Sequence, residues 1–253
     1  MKPLTILILA IAMMMTSCSY EINRETELLV MIDITDASGE LFRSIDEDLR
    51  TNFGRFLHNA NLGRIEEHER FKLMVTPIWT GPITISTASI EMPQAGMSLR
   101  AVEQARNPLP LLLLMRDKLD YLETQLDANH FQSSILESIL RSILQLNPQS
   151  ERSVMLVNSD LMHRCQRISF YNRIPRPYEV RDVIANLDPV LLRSTQNHIR
   201  IGAVPEIVIN LKQKRMERQR DLRLFYEAFF RELGINGRVY WVDNLTQNPG
   251  ITL

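Results

Sequence analysis

Short apolar runs alternate along the chain with amphipathic stretches, and this alternation is the strongest structural signal in the sequence. Residues 28–32, 154–157 and 207–211 are almost entirely apolar, which predicts strands that are buried on both faces of a sheet. Residues 40–58 place apolar side chains three or four positions apart, which predicts a helix with one buried face. Strands that alternate with helices favour a parallel sheet.

The remaining elements are predicted from the same two periodicities. They are hairpin strands at 72–80 and 83–90, helices at 98–106, 111–126, 134–147, 178–193 and 215–233, and a last strand at 239–242. The hairpin strands alternate polar with apolar residues, as is typical of the edge of a sheet. Residues 28–253 are therefore predicted to form one α/β domain. Its single sheet is doubly wound, Rossmann-like and mostly parallel, with helices on both faces and an antiparallel edge hairpin.

Two helix ends are marked by their cap residues. Ser134 is followed three residues later by Glu137, which is the spacing of a capping box. Gly234 follows the helix predicted at 215–233, in the position where a left-handed glycine ends many helices.

The N-terminus carries the pattern of an export signal. Lys2 precedes an apolar run over residues 4–15, which is shorter than the ~20 residues that a membrane-spanning helix needs. Residues 15–18, Met-Thr-Ser-Cys, resemble a bacterial lipobox. The resemblance implies that residues 1–17 are a lipoprotein signal peptide, removed before Cys18. It also implies a covalent diacylglycerol on the Cys18 sulfur and an acyl chain such as palmitate on its new amino group, which together give stable anchoring.

The lipobox resemblance also implies a location. Residues 18–27 would be the lipidated cysteine and a polar tether, and Ser19 after the cysteine is typical of lipoproteins that reach the outer membrane. We therefore expect a protein of the bacterial cell envelope that is anchored in membrane lipid through Cys18 and faces the periplasm. Because no second apolar run reaches ~18 residues, the rest of the chain is expected to lie outside the bilayer.

Charge and composition exclude several classes of protein and give no sign of a nucleic-acid partner. The formal net charge is −1 and the sequence pI is about 6.5, so charge gives no reason to expect a nucleic-acid partner. Apolar residues make up 45% of the chain, which excludes wholesale disorder. Two cysteines cannot form a disulfide scaffold.

Polar turns follow two of the predicted core strands. Asp33 and Thr35 come after the first strand, and Asp160 follows the strand at 154–157. Ligands of open α/β sheets bind beyond the carboxyl ends of the strands, so this edge is the predicted site. In an alternative interpretation, Asp33 and Thr35 only cap the first helix and Ser134 caps another.

This arrangement resembles the von Willebrand factor A-like (vWA) family and its metal-ion-dependent adhesion site. That site has Asp-x-Ser-x-Ser after the first strand, a Thr or Ser before a middle helix, and an Asp after the next core strand. The matching residues are Asp33, Thr35, Ser134 or Ser133, and Asp160. Ala37 departs from the pattern, since it stands where the family has its second hydroxyl.

The resemblance implies a divalent cation, Mg²⁺ or Mn²⁺, which prefers oxygen ligands. Its implied ligands are Asp33, Thr35, Ser134 and Asp160, with Asp36, Ser38 and Ser133 as further candidates. In this family an acidic side chain of a partner often completes the metal site. The resemblance therefore implies a protein partner of unknown identity. Nucleic acid is not expected as a partner of an exported protein, and no small-molecule substrate is expected.

Three functional hypotheses follow. The favoured one is a non-enzymatic, membrane-anchored interaction module that serves an envelope assembly through a degenerate adhesion site. The alternatives are a structural subunit without metal and a metal-dependent hydrolase that uses the same acidic cluster. No G-x-S-x-G, P-loop, G-x-G-x-x-G or H-E-x-x-H motif occurs, so the sequence favours a protein that is not an enzyme.

Two further features have plain interpretations. His163 and Cys165 are two potential ligands without a second pair, which is a poor zinc signal, so Cys165 is predicted to be a lone thiol. Cations crowd the start of the last helix, at Lys212, Lys214, Arg215, Arg218, Arg220 and Arg223. They are interpreted as a solvated helix face, with contact to anionic lipid or an acidic partner as the alternative.

Overall fold

The computed structural model describes residues 24–35, 38–60, 62, 69–78, 85–91, 109–126, 134–165 and 168–251. The signal peptide, Cys18, Asp36, Ser133 and the helix predicted at 98–106 lie outside these residues. The described strands are β1 (Arg24–Asp33), β2 (Glu69–Ile78), β3 (Ser86–Glu91), β4 (Arg152–Ser159), β5 (Glu206–Leu211) and β6 (Val239–Val242). The described α helices are α1 (Glu40–Asn59), α2 (Leu109–Glu123), α3 (Ile135–Ile143), α4 (Val180–Ala185), α5 (Pro189–Arg200) and α6 (Met216–Glu232).

The strands form one six-stranded sheet in the order β3-β2-β1-β4-β5-β6. Every neighbouring pair is parallel except β2 and β3, which are antiparallel at the edge of the sheet. This confirms the predicted mostly parallel α/β sheet with an antiparallel edge. The chain extends the sheet from β1 to β2 and β3, and then returns to β1 to add β4. The switch point between β1 and β4 is where such sheets form a crevice at their carboxyl ends.

Helices cover both faces of the sheet, because the central strands are apolar on both. In β1, Leu28, Val30 and Ile32 pack with the apolar sides of α1 and α2. The alternate residues Leu29 and Met31 pack with α3, α4, α5 and α6. All five side chains are fully buried, as the continuous apolar run predicts. Within the part of the chain that the structure describes, no helix is both long and apolar enough to cross a bilayer.

The first strand begins earlier than its apolar run predicts. β1 starts at Arg24, so residues 24–27, which the sequence assigns to the tether, belong to the sheet. Glu27 is fully buried there and accepts hydrogen bonds from Lys72 Nζ at 2.8 Å and from the Asn147 backbone N–H at 2.6 Å. A charged residue can extend a buried strand when it is paired in this way.

The single helix predicted at 178–193 is wrong. The segment begins with a 3₁₀ turn at Pro177–Glu179, which continues into α4, and α5 is a separate helix that starts at Pro189. The Asp188 carboxylate caps α5 by accepting from the backbone N–H groups of Val190 and Leu191. An aspartate cap followed by proline is a strong helix start, and it interrupts the apolar periodicity. The predicted cap at Gly234 is confirmed, since it has a φ of +92° and directly follows Leu233, the C-cap of α6.

A buried polar network centred on Asp48 of α1 joins this helix to the sheet. Its Oδ2 accepts from Lys212 Nζ at 2.5 Å and from Asn210 Nδ2 at 3.0 Å, and its Oδ1 accepts from Asn52 Nδ2 at 2.9 Å. Asn210 also donates to Asn158 Oδ1, and Asn158 donates to the backbone carbonyl of β1 at 3.2 Å. The network therefore ties α1, β5, β4 and β1 together at the carboxyl half of the sheet.

We predict that Asp48→Asn lowers the free energy of unfolding by about 2 kcal/mol near neutral pH. Burial alone would raise the pKa of Asp48, but the hydrogen bonds from Lys212, Asn52 and Asn210 outweigh it and hold the pKa below its usual value. A carboxyl with a lowered pKa stabilises the fold above its unfolded pKa of ~3.9. That contribution is lost as the pH falls through the folded pKa.

Urea unfolding of the wild type and the variant, at about pH 7 and about pH 3, tests this prediction. The difference between the two proteins should be large at the higher pH and small at the lower. The control Asp243→Asn removes a carboxylate that is 64% exposed and should change stability little. A loss of equal size at both pH values would contradict the assignment.

Candidate functional site

The turns that follow β1 and β4 meet at one edge of the sheet, because these strands are neighbours. Asp33 ends β1 and is fully buried. Its Oδ2 accepts a hydrogen bond of 2.5 Å from the Ser159 hydroxyl at the end of β4. Its Oδ1 accepts from both the backbone N–H and the hydroxyl of Thr35, at 3.1 and 2.5 Å. One buried carboxylate thus fixes both turns.

Asp33 orients hydroxyl groups and does not cap the first helix. The N-cap of α1 is Gly39, with a φ of +67°, and the backbone N–H of Glu40 donates to the Ser38 hydroxyl at 3.2 Å. Because the Thr35 hydroxyl donates its proton to Asp33, its oxygen lone pairs stay available to another group. The helix-cap interpretation of Asp33 is therefore wrong.

The turn after β4 has a strained backbone. Leu161 has a φ of +59°, a left-handed conformation that costs a non-glycine residue about 1–2 kcal/mol. Its N–H donates to the Ser159 hydroxyl at 2.8 Å, and its carbonyl accepts from the Tyr226 hydroxyl at 3.2 Å. Asp160, which precedes it, accepts from the Met162 backbone N–H at 2.9 Å. Burial raises the pKa of Tyr226 well above its usual value, and the nearby carboxylates of Asp160, Asp33 and Glu137 add to this.

A cleft of about 500 Å³ opens at this edge, and we call it the strand-end cleft. Thr35, Ser38 and Asp160, three of the predicted ligands, line it. Asp33 lies buried behind Thr35. Ser134 precedes α3 and is not among the described residues that line the cleft.

The cleft also has a cationic wall. Lys212, Lys214 and Arg215, which lead from β5 into α6, line it. Lys212 pairs with Asp48 at 2.5 Å, and Lys214 lies 3.4 Å from Glu40. Lys214 and Arg215 are exposed. The cleft therefore presents hydroxyls and the carboxylates of Glu40 and Asp160 together with positive side chains.

The donor set of the cleft fits a hard divalent cation in its chemistry. The Asp160 carboxylate and the hydroxyls of Thr35 and Ser38 are oxygen donors, and Mg²⁺ and Mn²⁺ take oxygen donors together with several waters. The Asp33 carboxylate adds negative charge behind them. Ala37 and Asp36 lie outside the described residues.

A second group of ligand-type side chains adds Glu137, which sequence reasoning missed, to His163 and Cys165, which it set aside as a poor zinc signal. The ligand atoms of Glu137, His163 and Cys165 all lie within 4.8 Å of one another, and we call this the Glu-His-Cys cluster. The predicted capping box is wrong, because the Ser134 side chain makes no cap hydrogen bond. The Glu137 carboxylate turns towards His163 instead, with Oε2 4.0 Å from Nε2. Burial raises the pKa of Glu137 above its usual value.

The cations of α6 are largely paired within the chain. Arg223 lies 3.2 Å from Asp243, with its guanidinium 5.5 Å from the centre of the Trp241 ring. Arg218 donates to the carbonyl of Tyr171 at 3.5 Å. These contacts favour the interpretation of a solvated helix face whose charges pair within the chain.

Comparison with solved structures finds chains of similar fold, although sequence comparisons find none. No protein-family model matches the chain, and no curated protein sequence matches it. The chain is similar to the crystal structure of the human COPII-coat protein Sec24c, with 11% identity and a TM-score of 0.41. The match covers 86% of this chain and 29% of the Sec24c chain, so the chain spans less than a third of that protein. A similarity of this size supports no conclusion about function.

We predict that Asp33→Ala lowers the free energy of unfolding by about 2–3 kcal/mol. The variant loses the buried carboxylate that accepts hydrogen bonds from Thr35 and Ser159. Urea unfolding at neutral pH measures the loss. Asp221→Ala is the control, since Asp221 is exposed on α6. Equal stabilities of the two variants would show that Asp33 does not hold the turns together.

Proposed function

We propose that this chain is a partner-binding module of vWA-like type, carried by a lipid-anchored protein of the bacterial envelope, and that the strand-end cleft is its binding face. The observation that carries this proposal is the position of the cleft. It lies beyond the carboxyl ends of β1 and β4, at the switch point of the sheet, with Thr35, Ser38 and Asp160 in its lining. The strand order, with the chain returning to β1 after an antiparallel edge, supports the resemblance to this family.

In this proposal the cation is held by oxygen donors on the two turns. Thr35 and Asp160 contact it directly, with Ser38 as a further donor, while Asp33 acts from behind by orienting the Thr35 hydroxyl. A bound Mg²⁺ or Mn²⁺ would supply positive charge and a coordination position for a carboxylate of the partner. Ser134, which the sequence resemblance includes, is not needed for this arrangement.

The charge of the cleft favours an acidic group on the partner. Lys214 and Arg215 are exposed on its wall, so a carboxylate that enters the cleft would meet positive charge with or without a cation. Such exposed charges act mainly on the rate of association and on specificity. Binding to the partner should therefore weaken as salt screens them.

Binding fits the cleft better than hydrolysis does. Among the described residues that line it, none is a histidine or a cysteine, and the acidic side chains are Glu40 and Asp160. Glu40 is exposed beside Lys214, and Asp160 accepts a hydrogen bond from the Met162 backbone N–H. Neither carboxylate therefore lies in the purely apolar surroundings that tune a general base. We therefore propose a non-enzymatic role and keep a metal-free structural subunit as the alternative.

We predict that the chelator-stripped full chain, purified in detergent, binds Mg²⁺ or Mn²⁺ saturably in a calorimetric titration. Asp160→Asn should weaken this binding by more than about tenfold, because a direct carboxylate ligand carries much of the affinity for a hard cation. The matched control is Asp243→Asn, which removes an exposed carboxylate that does not line the cleft and should bind as the wild type does. No binding by a folded wild type would remove the cation and favour the structural subunit.

The proposed anchor has a separate test. Cys18→Ser removes the sulfur that would carry the diacylglycerol, so we predict that the protein moves from the membrane fraction to the soluble fraction. Cys165→Ser is the control and should leave the protein with the membrane. Labelled palmitate should be incorporated into the wild type and not into Cys18→Ser, and this result would support the assignment. A wild type that stays soluble and unlabelled would contradict it.

A further inference from the structure

We propose that Glu137, His163 and Cys165 form a binding site for a zinc-type divalent cation. This site uses none of the oxygen donors of the strand-end cleft, and it does not depend on the proposed function of that cleft. It adds a sulfur and nitrogen centre to a protein whose sequence resemblance implies only oxygen ligands.

A short antiparallel pairing between residues 163–165 and 168–170 holds two of the three ligands. The Cys165 N–H donates to the Ile168 carbonyl at 2.9 Å, and the Phe170 N–H donates to the His163 carbonyl at 2.9 Å. Arg164 and Ser169 form an antiparallel bridge between them. Residues two apart on an extended strand project to the same side, so His163 and Cys165 share one side while Arg164 between them is exposed.

Glu137 completes the group from the first turn of α3. Its Oε2 lies 4.0 Å from His163 Nε2, and the three ligand atoms are all within 4.8 Å of one another. Ligands in a tetrahedral zinc site lie about 3.3–3.8 Å apart, given metal–ligand distances of about 2.0–2.3 Å. The cluster therefore needs a contraction of at most about 1.5 Å to hold the ion. Phe170 packs edge-on to the His163 ring at 5.5 Å and restricts its orientation.

The Glu137 carboxylate has a buried oxygen to which a cation could bind. Its Oε2 is buried without a hydrogen-bond partner, and the side chain as a whole is 16% exposed. Burying a carboxylate oxygen without a partner is costly, and such atoms in native proteins call for an explanation. An ion between Glu137, His163 and Cys165 would neutralise the carboxylate.

The donor atoms select the class of cation. A thiolate sulfur and an imidazole nitrogen favour zinc-type ions and disfavour Mg²⁺ and Ca²⁺, which prefer oxygen. Three protein ligands leave a fourth tetrahedral position for water or for a donor from a partner. Cys165 is only partly buried, so the cluster can be reached from the surface at its thiol.

Co²⁺ is the probe for this site, because a cobalt–thiolate bond gives a charge-transfer absorbance that oxygen ligands do not. The full chain in detergent, reduced and stripped with chelator, should develop this absorbance with one equivalent of Co²⁺ and lose it when Zn²⁺ is added. Zn²⁺ should also protect Cys165 from alkylation. Cys165→Ser should abolish the absorbance, and Glu137→Gln should weaken Zn²⁺ binding by more than about tenfold, because even groups behind metal ligands alter affinity about 10–100-fold.

Two control variants keep the outcomes distinct. Glu47→Gln changes an exposed glutamate on α1 and should bind Zn²⁺ as the wild type does. Asp160→Asn should lose Mg²⁺ or Mn²⁺ and retain Zn²⁺, so that failure of the strand-end cleft and failure of the Glu-His-Cys cluster are separate results. Absence of the thiolate absorbance in folded wild type, or Zn²⁺ binding that Cys165→Ser leaves unchanged, would overturn the proposal. Glu137 and His163 would then only be close neighbours, 4.0 Å apart.

Discussion

The hydrogen bond from the Ser159 hydroxyl to the buried Asp33 carboxylate joins the turns on which both candidate sites depend. β1 and β4 are neighbours only because the chain returns to the middle of the sheet. The hydrogen bond links the carboxyl ends of these two strands. It orients Thr35 on one side. On the other side, Ser159 supports the strained Leu161, and the direction of the chain after Leu161 sets where His163 and Cys165 lie.

Much of the fold could be predicted from the sequence, since the central strands are buried on both faces and are therefore continuously apolar. The errors occur where distant residues change a local signal. The sequence assigns residues 24–27 to the polar tether because Lys72, which pairs with the buried Glu27, is far away in the sequence. Residues 178–193 read as one helix because the apolar period continues across Asp188 and Pro189, although this pair is itself a helix-start signal.

Part of the site could be predicted because continuously apolar strands, and therefore their ends, can be recognised in the sequence. The carboxyl ends of strands can be located in a sequence, so Thr35 and Asp160 are found, and the structure places both on the strand-end cleft. The part of Glu137 in a site could not be predicted, because its spacing from Ser134 is a local signal for a helix cap. In the structure its carboxylate lies 4.0 Å from His163, in the turn after β4. The His-x-Cys spacing gains meaning only once residues 163–165 are known to be extended.

The parallel direction of the sheet has a consequence for geometry at a membrane. Since β1 runs from Arg24 to Asp33, the polypeptide joins the domain at one rim of the sheet and the strand-end cleft opens at the opposite rim. Ten residues of strand span roughly 33 Å. With the proposed lipid on Cys18, the bilayer would lie on the side of the incoming chain. The cleft would then point outwards, about one domain height away from the headgroups, where a large periplasmic partner could approach it without contacting the membrane.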